Sequence, residues 1–107
     1  MATTQALNQV EPNVSTVTIV YLCPASKRAT VRVLVANRGS VDLQYRLSIA
    51  ENGAADTTSQ YFVYDETLVA NGSGRSPALV LEPSDELRAF TDTATLVVTV
   101  NGIEQDI

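Results

Sequence analysis

Val41-Asp42-Leu43-Gln44-Tyr45-Arg46-Leu47-Ser48-Ile49-Ala50 alternates apolar and polar side chains almost without a break. A strand has a side-chain period of two, so Val41, Leu43, Tyr45, Leu47 and Ile49 fall on one face, suited to a core. Asp42, Gln44, Arg46 and Ser48 fall on the other, open to solvent or to a partner. Just before it, 29–36 repeats the pattern, with Val31, Val33 and Val35 set against Thr30, Arg32 and Leu34. Asn37-Arg38-Gly39-Ser40 between the runs reads as a short loop of residues that accept positive φ, which would join the two strands as an antiparallel hairpin.

Runs of the same kind lie on both sides. Residues 14–22 are almost continuously β-prone and stop at Cys23-Pro24, where proline removes a ladder donor. Further strands are expected over 60–64, 67–70, 76–81, 86–90 and 94–100. They are punctuated by a Gly/Ala/Asp loop, by Asp65-Glu66, by Asn71-Gly72-Ser73-Gly74, by Glu82-Pro83-Ser84-Asp85 and by Thr91-Asp92-Thr93. The last strand is expected to end at Val100, and Asn101-Gly102 leads to a short acidic end. Seven or eight short strands with turn signals every eight to twelve residues specify an all-β fold, a single antiparallel β-sandwich of Ig-like or jelly-roll type over 14–107. Residues 1–13 are small or polar apart from Leu7 and Val10, and they read as an N-terminal arm.

Size and composition agree with one domain. The chain has 107 residues, 45% of them hydrophobic, which is enough for one core without disulfides. It contains no His, so Ser-His-Asp and Cys-His catalysis within one chain are excluded. A lone Cys23 excludes an internal disulfide, a four-Cys zinc site and a redox Cys pair. Its thiol would be reactive only if Lys27 and Arg28 lowered its pKa; otherwise it packs as a small hydrophobe. The net charge of −5 repels a phosphate backbone, so direct nucleic-acid binding is not expected. No apolar run reaches the ~18 residues of a membrane helix, and no signal-like start precedes the domain. Glu82, Asp85 and Glu86 crowd one turn, but no full calcium loop surrounds them, and a solvated turn is the expected role. No metal, no cofactor and no catalytic residues are expected.

Several strands carry large apolar residues on consecutive positions: Val20 with Tyr21, Phe62 with Val63, and Val97 between Leu96 and Val98. An outer face covered by another subunit is one reading of that excess; burial by loops is the other.

With these elements in order, the chain resembles small virion structural proteins of tailed bacteriophages from about Val17 to Glu104. The resemblance is carried by Cys23-Pro24-Ala25-Ser26-Lys27-Arg28-Ala29-Thr30, by Val31-Arg32-Val33-Leu34-Val35-Ala36-Asn37-Arg38 and by Gln60-Tyr61-Phe62-Val63-Tyr64-Asp65. The Asn71-Gly72 turn, Leu81-Glu82-Pro83-Ser84-Asp85-Glu86-Leu87 and Val100-Asn101-Gly102-Ile103-Glu104 complete it. Family members usually have a glycine-type residue where this chain has Ser26, and the arm has no counterpart. The resemblance implies a non-enzymatic particle component made in a host cytoplasm and located in the virion. A head decoration or cement protein that binds the major capsid protein or other virion subunits, as a homo-oligomer, is the leading expectation. A tail, neck or fibre component, including a receptor- or carbohydrate-binding module with Tyr61 or Tyr64 beside Asp65 as its platform, is the alternative. An Ig-like adhesion domain is more distant. Candidate subunit-contact residues are Leu7 and Val10 on the arm and the outward set Asp42, Gln44 and Arg46.

Overall fold

A computed structural model describes residues 4–107, and it is a sandwich of two antiparallel sheets. Among the described residues nine strands follow one another as β1 (Thr4–Val10), β2 (Thr18–Leu22), β3 (Lys27–Asn37), β4 (Leu43–Ala50), β5 (Tyr61–Leu68), β6 (Ser73–Arg75), β7 (Leu79–Leu81), β8 (Glu86–Thr91) and β9 (Leu96–Asp106). Short 3₁₀ turns at Glu51–Gly53 and Thr58–Gln60 sit in the link between β4 and β5. The first sheet runs β1-β9-β3, with β6 and β7 both pairing the free side of β3; the second runs β2-β8-β4-β5. First pairs with last, second with second-last, third with β6 and β7, and fourth with fifth. Successive pairs alternate between the sheets, which is the jelly-roll connection.

The alternation in the sequence is realised in the core. Val31, Val33 and Val35 of β3 and Leu43, Tyr45 and Leu47 of β4 are buried, facing Leu87 and Ala89 of β8 and Leu96, Val98 and Val100 of β9. Each such Leu or Val contributes about 1.5–3 kcal/mol by leaving water. This layer fixes which side chains remain on the two outer faces.

Five expectations are corrected by the structure. Residues 29–36 and 41–50 do not form a hairpin, because β3 pairs β9, β6 and β7 while β4 pairs β8 and β5. The link between them carries the chain across the sandwich, held by Asn37, whose side-chain amide donates to Val41 O at 2.8 Å and to Leu68 O at 3.2 Å. Val41 is outside the strand and exposed. The last strand does not end at Val100, since β9 continues through Asn101 and Gly102 to Asp106 in unbroken register with β3. Nor does Asp65-Glu66 end a strand: β5 runs on to Leu68 through a bulge, with Asp65 at φ 52°.

The fifth concerns the arm. Of 1–13, residues Thr4–Val10 form β1, paired antiparallel with β9, while residues 1–3 lie outside the described residues. Leu7 and Val10 both pack against the core and are partly buried there. They are three residues apart, a spacing that strict alternation would split between faces, but a bulge between Ala6 and Asn8 restores both to the inner side. A bulge between Ile19 and Tyr21 does the same for Val20 and Tyr21, which are both buried within the monomer. The Tyr21 hydroxyl donates to Glu104, and burial, then Glu104, pushes its pKa far above the usual phenol range.

Candidate interaction surface

A sandwich can bind through its sheet edges or through its faces, and here the edges are blunted. On the first sheet, β1 carries its bulge, and the opposite edge is split into two three-residue strands around Ser76-Pro77-Ala78, where Pro77 offers no N–H. On the second sheet, β2 has only five residues and a bulge, and β5 is bulged twice. None of these presents the long, flat ladder that strand addition needs. The faces remain.

The outer face of the second sheet is organised around Arg46. The register places Arg46 opposite Phe90, and the β5 bulges bring Tyr64 and Asp65 to its other side. Its guanidinium carbon lies 4.2 Å from the Tyr64 ring centroid and 4.7 Å from that of Phe90. Nε donates to Asp65 Oδ1 at 2.6 Å and Nη2 to Oδ2 at 3.3 Å. By accepting these bonds Asp65 raises the Arg46 pKa still further and holds the planar group fixed between the rings. Tyr61 meets Tyr64 edge-on, with centroids 5.3 Å apart and planes at 79°. The Tyr61 hydroxyl donates to Asp56 at 2.9 Å, and partial burial followed by this bond raises its pKa.

Farther along the same face, Arg88 donates to Glu86 at 2.8 Å in an ion pair almost withdrawn from water. Ser48, opposite Arg88 in the register, is fully covered. Ile19 and Leu22 on β2 and Phe62 and Tyr64 on β5 leave apolar surface exposed on the flanking strands. A rigid, charge-neutralised centre flanked by aromatic and aliphatic groups has the composition of a docking face.

Of the outward residues named from sequence, Gln44 and Arg46 lie on this face, Gln44 exposed and Arg46 at its centre. Asp42 precedes β4, and its carboxylate accepts from the Ala70 N–H at 2.9 Å, so its role is to hold the link after β5. Tyr61, Tyr64 and Asp65, named for a sugar platform, belong to the same cluster as Arg46. Phe90 was not singled out; its place opposite Arg46 is the signal, readable only once β4 and β8 are known to pair.

The remaining chemical candidates are absorbed by the fold. Asp85 Oδ1 and Oδ2 accept from the Asn52 and Glu82 N–H groups, Glu82 pairs with Arg28, and Glu86 with Arg88. Among the described residues no three His, Cys, Asp or Glu side chains group as metal ligands. Lys27 is engaged by Asp106 at 2.6 Å, and so is not a cation serving Cys23. Burial first, then Asp85 and Glu104, pushes the Cys23 thiol above its usual pKa. Its sulfur contacts Lys27 O at 3.3 Å and has no exposed surface. Native protein should therefore give no reaction with a thiol-specific disulfide reagent, and one thiol should appear on adding denaturant. Rapid labelling of the native chain would contradict that placement. No family model matches the chain, and no curated protein or solved structure matches it either.

Proposed function

We propose that this chain is a non-enzymatic structural component of a tailed-phage particle, a head decoration protein that ties neighbouring capsid subunits together through the outer face of its second sheet. The observation that carries the reading is the Arg46 cluster: an arginine locked between Tyr64 and Phe90 and neutralised by Asp65. Such a group loses little conformational freedom on docking and has no unpaired charge to desolvate, which favours protein association. The blunted edges support face-to-face contact, as does the resemblance in the turns around Cys23-Pro24 and Glu82-Pro83. A standard interface of about 1,600 Å² would be enough to offset ordering costs and brace capsomers against internal pressure.

The sugar-platform alternative is less well supported. One face of Tyr64 is occupied by Arg46, and Tyr61 stands nearly perpendicular to it, so the two rings do not form a flat stacking surface.

The test uses particles stripped of the protein and rebuilt with purified chain. Wild-type protein should restore heat and osmotic resistance, while Tyr64→Ala, removing a central aromatic anchor, should weaken docking about 30-fold, the equivalent of about 2 kcal/mol. Unchanged capsid survival together with lost adsorption to cells would overturn the head assignment in favour of the tail.

A further inference from the structure

The opposite face of the sandwich carries a different chemistry. On the outside of the first sheet, the β3 residues Thr30, Arg32, Leu34 and Ala36 lie beside the β9 residues Ile103, Asn101, Thr99 and Val97. A depression of about 410 Å³ is lined by Arg32, Leu34, Arg75, Asn101 and Ile103. A second, of about 480 Å³, shares Leu34 and Arg75 and continues to Val97 and Thr99. Together they form a shallow groove along β3, about 20 Å long at the ordinary rise of a strand.

Its charge is the informative feature. Of the seven Lys and Arg residues, Lys27, Arg28, Arg38, Arg46 and Arg88 each pair with a carboxylate. Arg32 and Arg75 do not, among the described residues, and both line this groove. In a chain with net charge −5, the two arginines without an acidic partner thus sit together on one face. Arg75 is opposite Leu34, and Arg32 is two residues from Leu34 on the same side of β3, so their backbones are diagonal neighbours about 7–8 Å apart. Across β3 from Arg75, Asn101 is opposite Arg32 on β9, and its Oδ1 is buried with no hydrogen-bond partner.

We propose that this groove binds an extended acidic segment of a partner protein. Carboxylates on alternate residues of an extended segment lie about 7 Å apart, close to the spacing of the two arginine backbones, and the long side chains can adjust to bring each guanidinium to one carboxylate. Small apolar residues between the carboxylates would rest on Leu34, Val97 and Ile103. Symmetric packing of this face against a second copy would bring four arginines without acidic partners into one interface, and like charges gathered in an interface are costly. Two arginines on an acidic chain are also a poor match for a nucleic-acid backbone. The proposal stands apart from the Arg46 face, since the two surfaces lie on opposite sides of the sandwich.

The test titrates the full chain with a fluorescent, end-blocked peptide of sequence Asp-Val-Asp-Val-Asp, followed by anisotropy. Binding is expected, weakened about tenfold or more in the Arg32→Gln/Arg75→Gln variant and reduced by salt. Both side chains are exposed, so the variant should keep the wild-type melting temperature, and Tyr64→Ala should bind the peptide as wild type does. No binding at millimolar peptide, equal binding by Asn-Val-Asn-Val-Asn, or undiminished binding by the double variant would overturn the proposal. So would preferential binding of oligothymidylate, or self-association of the chain that the double variant abolishes, since each would identify a different occupant.

Discussion

Replacing Gly102 by alanine is expected to cost about 3 kcal/mol or more, a large share of the ~5–15 kcal/mol that typically holds a domain together. A Cβ at this position would lie 2.1 Å from Thr30 O and 2.7 Å from Val31 Cα. Both are backbone atoms of β3, so no side-chain rotation relieves the clash. The only relief is to part β9 from β3, the long central pair of the first sheet, whose register runs from Lys27 to Asn37. Gly74→Ala is the matching control, because its Cβ would meet only side-chain atoms at 3.5 and 3.7 Å, which is ordinary contact. That change should be neutral or stabilise slightly by narrowing the unfolded ensemble. Urea denaturation of both variants checks the contrast, and similar midpoints for the two would contradict the close approach of β9 to β3.

Gly102 also shows where the sequence was hard to read. Asn-Gly is a strong turn signal because both residues tolerate positive φ, yet here glycine serves the approach of two backbones and the strand continues. Strict alternation was legible wherever a strand lies flat on the core: in β3, β4 and β8 the inward residues follow directly from period two. It failed at the bulges. Leu7 with Val10, and Val20 with Tyr21, break the period in sequence but not in space, because one extra residue turns the chain back towards the core. The apparent apolar excess at Val20-Tyr21 was therefore core and not interface. Pairing partners were less legible still, because a loop of a few residues can close a hairpin or cross a sandwich. Local pattern does not distinguish the two.

The candidate surface divides along the same line. Arg46 and Gln44 were readable as outward because they alternate with buried neighbours. The contacts of Arg46 with Phe90, 44 positions away in sequence, and with Tyr64 and Asp65 depend on the β4–β8 register and the β5 bulges, which alternation does not encode. For Arg32 of the first sheet, alternation gave the outward face but neither its lack of an acidic partner nor its nearness to Arg75. Arg32 was one of several scattered cations until the ion pairs of the other five were known.

Asn37→Ala should be the other severe substitution, with an expected loss of about 3 kcal/mol or more, because each buried polar group left without a partner costs about 1–3 kcal/mol. Asn37 is almost fully buried at the end of β3. Its amide nitrogen donates to Val41 O at 2.8 Å, Leu68 O at 3.2 Å and Val69 O at 3.3 Å. Its side-chain oxygen accepts from Gly39 N at 2.9 Å and from Thr95 Oγ1 at 2.7 Å. One side chain thus ties the crossing after β3, the end of β5 and the turn before β9. Alanine strands these partners together, and no apolar contact replaces them. Asn37→Asp separates the two halves of the network: it keeps the acceptors for Gly39 and Thr95 but sets a carboxylate oxygen against three carbonyls. If the donor side matters most, Asp should be as damaging as Ala at neutral pH. It should recover in part on acidification, as protonation restores one donor. Asn37→Asp melting at the wild-type temperature at neutral pH would show that the carbonyls are satisfied without the amide, and that another contact holds the crossing between the sheets.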